Sequence, residues 1–538
     1  MSVADPRVLA REAVLSTVVA ASLASILVWL GPPGVDLAAH AYQRTLLIHH
    51  GFVVWNNFWY AGRYTFVTYS VLYYPLAALL GIKVLAVATI ASAALAFTLV
   101  ALRQWGDSAR LSSRTFAVLW TGIVLSAAFP FALAMSFALL SLWALQSRHR
   151  WRFAVFALLC LATSPLAFVL LGVLLGGVAL ARKTLRDIRL PLAIMVGGGL
   201  VELGIYRLFS DGGRFPFSIW EFAGALVFCA FGLAVTWDIP AARPLRGLFA
   251  VYLVACLAAF VIPTSVGSNI ERIRYAALPI AVLALTLRRW RPLPLVVPAL
   301  VLAAVWNLTP IVSSYASAST DPGRKQAYWQ PAITYLHAHL SPSFRVEAVD
   351  TADHWAAEYL PDAGIPIVRG WYRQADFPVN SVLYNDDLTP AQYDAWLRSL
   401  GVRFVLLPDA PPDYSSRHEA ALIRSGRVNL KLVYRSAHIR VYEVPHASPM
   451  ITGPAGGTVL YLEPTRIVAE LPEAGKYHVK VRWTPFWRTK QGCVSRASDG
   501  MVNLVVPHPG VASLSVSVDV NGGLKALTGL SPRRVCGS

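Results

Sequence analysis

Asp36 stands just past the end of the first apolar run of this chain, in Gly31-Pro32-Pro33-Gly34-Val35-Asp36-Leu37-Ala38-Ala39-His40. A carboxylate at a membrane surface can take the proton of a hydroxyl as that hydroxyl attacks a lipid-linked substrate. Asp before an apolar-periodic segment is also a good helix N-cap, and both readings stand at this point. Asp36, His40 and Arg44 recur at i, i+4 and i+8, so they share one helical face. Asp36 and His40 could ligate one divalent ion, Mg2+ or Mn2+. Otherwise Asp36 acts as base, while Arg44 holds a phosphate or all three form a solvated polar face.

A second constellation follows in Trp55-Asn56-Asn57-Phe58-Trp59-Tyr60-Ala61-Gly62-Arg63-Tyr64. Aromatics interleaved with amides and one arginine suit sugar stacking with hydroxyl hydrogen bonds. They equally suit an aromatic belt at a membrane interface. Trp55, Asn56, Asn57, Trp59 and Arg63 are the substrate-binding candidates of this run. A third set lies in Gly267-Ser268-Asn269-Ile270-Glu271-Arg272-Ile273-Arg274. There Arg272 and Arg274, with Asn269, can grip a lipid phosphate, or an arginine can pair internally with Glu271. Glu202, near Arg207, is an ionisable residue within an apolar span and so a functional candidate by default. No GxSxG, Walker loop, HExxH or Cys/His zinc spacing is present.

The elements that must hold these residues are membrane spans. Of the 538 residues 56% are hydrophobic and 14% charged, and the mean hydropathy is +0.52, far from a soluble average. The net charge of +18 could suggest nucleic acid. Its distribution says otherwise, because the excess lies in short loops between apolar runs, where the positive-inside rule puts it. The clusters are Arg7/Arg11, Arg103/Arg110/Arg114, Arg148/Arg150/Arg152, Arg182/Lys183/Arg186/Arg189, Arg243/Arg246 and Arg288/Arg289/Arg291. Placing all six inside predicts about 11 crossings, near 13–30, 83–102, 115–129, 131–146, 153–164, 166–181, 190–208, 221–237, 247–263, 274–287 and 294–312. The apolar stretch 66–81 must then be interfacial or re-entrant, or every later cluster would flip. The N-terminus is expected in the cytoplasm and the C-terminal part outside the cell membrane.

This gives a membrane domain over 1–312 with a large first outer loop at 31–82. A soluble α/β domain is expected over 313–449 and a β-sandwich-like domain over 450–538, both extracytoplasmic. Strand patterns at Phe344–Val349 and Val402–Leu407 flank a helix at Thr389–Leu400. Lys431–Tyr434 and His438–Val444 read as a hairpin. Alternation in Lys476–Trp483, Val502–Val506 and Ser513–Val520 suggests the sandwich. Cys493 and Cys536 can pair if that part meets an oxidising exterior. Trp355, Trp371, Tyr372, Trp483, Phe486 and Trp487 are candidates for carbohydrate stacking, each weighed against a place in a core.

The arrangement resembles the C-type (GT-C) membrane glycosyltransferase superfamily. The resemblance rests on Asp36-Leu37-Ala38-Ala39-His40, the Trp55–Gly62 run, Tyr73-Tyr74-Pro75-Leu76, Thr163-Ser164-Pro165-Leu166-Ala167 and Gly267–Arg272. Within it the chain is most similar to actinobacterial arabinofuranosyl- or mannosyltransferase-like proteins. The resemblance implies a polyprenyl-phosphate sugar as donor, a glycan or glycolipid of the cell envelope as acceptor, and membrane lipid around both. It implies Asp36 as general base of an inverting transfer, and maps the lipid-phosphate role to Arg272 and Arg274. Many members carry two acidic residues where this chain has Asp36 and Leu37, which bears on the metal. Two other classes compete: a lipid-carrier or solute transporter, and a non-catalytic scaffold for envelope assembly.

Overall fold

The computed structural model describes residues 5–181, 189–210, 213–527 and 536. Arg182, Lys183 and Arg186 of the fourth basic cluster lie outside the described residues, as do Asp211 and Gly212. The chain divides into two compact units. One holds Met1–Leu37, Tyr69–Leu203 and Arg214–Ser319; the other holds Ala38–Thr68, Gly204–Gly213 and Thr320–Ser538. The expected boundary near residue 313 is therefore crossed twice. Residues 38–68 of the first outer loop, and 204–213, fold with the C-terminal part.

The first unit is helical. Its elements are α1 (Pro6–Leu30), the start of α2 (Leu37–His50), α3 (Tyr73–Leu80), α4 (Ile82–Trp105), α5 (Arg110–Leu119), α6 (Ile123–Ser126) and α7 (Phe129–Gln146). Then come α8 (Arg150–Thr163), α9 (Pro165–Ala181), α10 (Arg189–Leu208), α11 (Ile219–Thr236), α12 (Arg243–Val261), α13 (Ala277–Leu287) and α14 (Leu293–Thr320). Each of the expected spans overlaps a helix, and among the described residues seven helical segments are long and apolar enough to cross a membrane. Helix α3 has 8 residues, about 12 Å of rise against about 30 Å of hydrocarbon, so it is too short to cross. Asp5 caps α1, accepting from the Arg7 N–H at 2.8 Å, and Pro6 fills the first helical position, where a missing N–H costs nothing. Arg114 on α5 pairs bidentately with Glu12 of α1, at 2.6 and 2.9 Å. Gly177 on α9 faces the Leu248 backbone of α12 so closely that an added Cβ would sit 2.6 Å from the Leu248 nitrogen. Small residues let apolar helices approach where no water drives them together.

The second unit carries the sheets. A two-residue hairpin pairs β1 (Trp55–Asn56) with β2 (Arg63–Tyr64). The α/β part has a mixed sheet in the order β3 (Arg345–Ala348), β4 (Val402–Pro408), β6 (Ile439–Glu443), β5 (Lys431–Arg435). Its β3 runs parallel to β4, with Val346 beside Phe404. Helices α15 (Gln326–His339), α16 (Ala356–Asp362), α17 (Arg373–Val379), α18 (Pro390–Ser399) and α19 (Arg417–Arg424) belong to this part. The expected helix over 389–400 is α18. Thr389 and Gln392 close a capping box and Pro390 stands at the first position, satisfying end groups that would otherwise be orphaned. The last part is two four-stranded antiparallel sheets. One orders β12 (Cys493–Arg496), β13 (Met501–Val506), β10 (Gly475–Arg482) and β7 (Ile451–Thr452). The other orders β11 (Trp487–Thr489), β14 (Gly510–Val516), β9 (Arg466–Leu471) and β8 (Thr458–Glu463). Inward residues alternate along each strand, as in Val502, Leu504 and Val506, and fill one core. Cys493 and Cys536 form a disulfide across 43 residues.

Candidate functional site

In the first unit the backbone before Asp36 is laid against the turn that joins α6 to α7. Val35 N–H donates to Leu125 O and Asp36 N–H to Ser126 O, each at 3.1 Å. Gly34 is required here, because an added Cβ would meet the Ala127 side chain at 2.6 Å. Ala127 itself takes a left-handed conformation, φ 52, which turns the chain sharply into α7. The same turn region meets the stretch that holds Asn269, Glu271, Arg272 and Arg274. That stretch folds as a 3₁₀ segment, Gly267–Ala276, and lays the Arg272 guanidinium over the Phe131 ring at 5.4 Å. Two residues far apart in sequence are thus fixed against one short stretch, Ser126–Phe131.

Glu271 is 2% exposed and lies 3.7 Å from Arg274. Burial pushes its carboxyl up to about 7, against the opposing pull of Arg274. The internal pair foreseen as the alternative for this loop therefore exists, and it involves Arg274. Among the described residues no carboxylate pairs with Arg272, whose partner is an aromatic face. Asn269 is half-buried. Glu202 lies half-buried on α10, whose flanking Val201 and Leu203 are exposed.

A cavity of about 260 Å³ opens inside the helices. Its wall includes Ile273 and Ala276 of the 3₁₀ segment, Met135, Leu139 and Leu142 of α7, and Leu170 and Leu174 of α9. Gln104 and Gln146 are its amide-bearing residues. Such a wall accepts hydrocarbon and offers a charged group nothing.

The second unit uses the aromatic run in an unexpected way. Trp55, Asn56, Asn57, Trp59 and Arg63 are all buried, between 0% and 6% exposed. They offer no open face to a sugar, nor to a membrane interface. Their polar atoms are spent internally. Trp55 Nε1 donates to Asn57 Oδ1 at 2.8 Å, Asn57 Nδ2 to Glu463 O at 2.9 Å, and Trp59 Nε1 to Ala357 O at 3.0 Å. Asn56 Nδ2 donates to the Tyr42 hydroxyl at 3.0 Å. Arg63 lies 3.8 Å above the Tyr372 ring. The run is a plug that ties the first outer loop to both C-terminal folds, and burying such large rings is worth several kcal/mol. Composition could not show this, because a sugar platform and a domain plug use the same residue types.

His40 is fully buried on α2 with its ring 6.4 Å from that of Trp371. Arg44 is half-buried on the same helix. Among the described residues no group of three or more His, Cys, Asp and Glu gathers to hold a metal ion.

Sequence reasoning overlooked a buried polar network around Arg369-Gly370-Trp371-Tyr372-Arg373. Arg369 donates to Asp376 at 2.6 Å and to Ser415 at 2.8 Å, and reaches Glu419 at 3.4 Å. Arg373 donates to Asp413 at 2.6 Å and Ser415 at 2.9 Å. His354 brings Nδ1 to 2.5 Å from Asp350 and Nε2 to 3.3 Å from Arg373. Burial alone would raise Asp376 and Asp413, yet the arginines beside them hold both below the usual carboxylate range. Glu347 has no such close partner, and burial together with Glu419 drives it well above that range. The signal in the sequence is two arginines bracketing an aromatic pair.

No protein-family model matches the chain, and no curated protein matches it. Solved structures do. The chain is similar to the arabinofuranosyltransferase AftD from Mycobacteria, with 13% identity and a TM-score of 0.48, over 97% of this chain and 60% of that one. It is similar to ArnT from Cupriavidus metallidurans bound to undecaprenyl phosphate, with 16% identity and a TM-score of 0.39, over 82% and 99%. It is also similar to the archaeal oligosaccharyltransferase AglB from Archaeoglobus fulgidus, in complex with an inhibitory peptide and a dolichol-phosphate, with 12% identity and a TM-score of 0.35, over 73% and 69%. These structural neighbours are C-type (GT-C) glycosyltransferases. The chain spans about 60% of the length of AftD, and a likeness at these values assigns no activity by itself.

Proposed function

We propose that this chain is a multi-pass membrane glycosyltransferase that moves a sugar from a polyprenyl-phosphate donor to a glycan or glycolipid acceptor at the outer face. The observation that carries the reading is the meeting of the Asp36 backbone and Arg272 on Ser126–Phe131, beside a hydrocarbon-lined cavity that Ile273 and Ala276 help to wall. A donor of this class has an apolar tail, a phosphate and a sugar. The cavity suits isoprenoid, the arginine suits phosphate, and the carboxylate suits the acceptor proton. That two of the structural neighbours were solved with a polyprenyl-type phosphate accords with this donor class.

In the transfer, the acceptor oxygen bonds to the anomeric carbon as the bond from that carbon to the phosphate oxygen breaks. The electron pair leaves with the phosphate, whose charge Arg272 offsets. The acceptor proton passes to Asp36. Attack opposite the leaving group inverts the anomeric centre. Lipid phosphate is a sufficient leaving group, so the reading needs no nucleotide site and routes no step through a metal.

The test is turnover of polyprenyl-phosphate pentoses and hexoses by the purified chain in nanodiscs. Asp36→Ala is expected to lower the rate by about 100- to 10,000-fold, the usual worth of a general base, with unchanged expression. Arg272→Ala is expected to weaken donor binding. Full turnover by Asp36→Ala would remove the base assignment. Vesicle uptake of the intact lipid-linked sugar without transfer would favour the transporter class.

A further inference from the structure

We propose that Trp371 is the stacking platform of a neutral-saccharide subsite in the second unit, with Arg373 as its hydrogen-bonding group and His354 holding that guanidinium in place. Within the transferase reading, on which its role in the reaction rests, this is where the acceptor glycan is held. Of the six aromatics that the sequence offers for stacking, Trp355, Tyr372, Phe486 and Trp487 are sealed at 5% exposure or less. Trp483 packs on the sandwich core. Trp371 is half-buried and keeps part of its surface open.

Stacking rewards a ring that is already still, because no freedom is lost when the sugar arrives. Trp371 meets that condition. On one side Arg369 is anchored by Asp376 and Ser415. Gly370 is pressed so tightly on the aromatic plug that an added Cβ would lie 2.7 Å from the Tyr60 ring. On the other side the Tyr60 hydroxyl donates to Tyr372 O at 3.1 Å, and Arg373 is anchored by Asp413 and Ser415. Rings flank the indole on two sides, His40 at 6.4 Å and His354 edge-on at 6.5 Å.

Two polar side chains lie beside it, the buried His354 and the partly open Arg373. His354 takes a left-handed backbone, φ 58, a conformation that a non-glycine residue adopts where its surroundings impose it. That backbone carries an imidazole aligned between Asp350 and Arg373. Arg373 lies 4.5 Å over the ring of Tyr414, and Tyr414 is 50% exposed. Two partly open aromatics therefore bracket one guanidinium and one imidazole. Asp413 already neutralises Arg373 and Asp350 faces His354, so the patch has no spare positive charge for an anion. A neutral sugar, with apolar ring faces and hydroxyls at its edge, matches it.

Saturation-transfer NMR on the full chain in nanodiscs tests this, with methyl pentofuranosides and hexopyranose disaccharides as probes. Wild type is expected to show transfer to sugar ring protons from at least one probe. Trp371→Ala should weaken that binding about fivefold to tenfold, and Trp371→Phe by about twofold or less. Tyr414→Ala, at an exposed position that threatens folding little, should weaken it too. Equal binding by wild type, Trp371→Ala and Tyr414→Ala overturns the subsite, as does absence of transfer from every probe. The two readings separate cleanly. Saccharide binding lost in Trp371→Ala, with no donor turnover by wild type, keeps the subsite and ends the transferase reading. Donor turnover by wild type with saccharide binding unaffected by Trp371→Ala does the reverse.

Discussion

Glu271→Gln should stabilise the protein at pH 8 and do so by less than about 1 kcal/mol at pH 5. Glu271 is 2% exposed, and burial moves its carboxyl from 4.5 up to about 7. The folded chain thus holds this proton more tightly than the unfolded chain does. Below pH 4.5 both forms are protonated and nothing is lost. Between 4.5 and 7 the unfolded chain has released the proton while the folded chain keeps it, so stability falls as pH rises. Above 7 the loss is complete, at roughly 3 kcal/mol. The value of about 7 already reflects the opposing pull of Arg274, 3.7 Å away and 33% exposed. Glutamine resembles the neutral acid in size and cannot ionise. The expectation is a gain of about 3 kcal/mol at pH 8. Thermal unfolding of wild type and variant in the same detergent, across pH 5 to 8, reads it directly. A gain of equal size at both ends, or a loss at pH 8, would refute the reasoning, since each requires Glu271 to ionise without cost. Donor binding gives a second readout. Protonation of Glu271 frees Arg274 for phosphate, so affinity for polyprenyl phosphate should rise as pH falls through 7.

Gly370→Ala should cost about 1–3 kcal/mol through overpacking, because its Cβ would lie 2.7 Å from Tyr60 and 3.0 Å from Trp59; an unchanged melting temperature would contradict that contact. Arg369→Met should cost about 3–5 kcal/mol by leaving Asp376 as an uncompensated buried charge, with Glu419 only 3.4 Å from the lost cation; equilibrium unfolding checks it, and a neutral outcome would mean that these carboxyls protonate readily. Replacing Cys493 and Cys536 by serine should cost about 4 kcal/mol in the chain-entropy account of a 43-residue closure, read as a melting shift that reducing agent reproduces in wild type.

The sequence by itself determined the elements. Runs of apolar residues produced most of the helices between α1 and α14, α2 and α5 being the polar exceptions, since a backbone in hydrocarbon must satisfy its own hydrogen bonds. Alternation produced β10, β13 and β14 near the expected positions, because side chains of a strand point to opposite faces. Charge in the loops makes 66–81 an expected non-crossing stretch, and α3 within it is a helix of 8 residues. Pairing of Cys493 with Cys536 was legible too, as the two cysteines outside the apolar runs. Tertiary structure alone decided which side chains stay open. Trp59 and Trp371 are the same residue type in similar polar-aromatic surroundings, yet one is sealed and the other half-exposed. The difference lies in partners about 300 positions away, Ala357 for Trp59 and His40 for Trp371. Local composition contains no term for such contacts. The same holds for Asp36 and Arg272: Gly34 and Ala127 let the backbone before Asp36 touch Leu125 and Ser126, and Arg272 arrives over the Phe131 ring. Periodicity sets an element and the face it buries, while the site depends on which faces meet, and that is decided by packing among all of them.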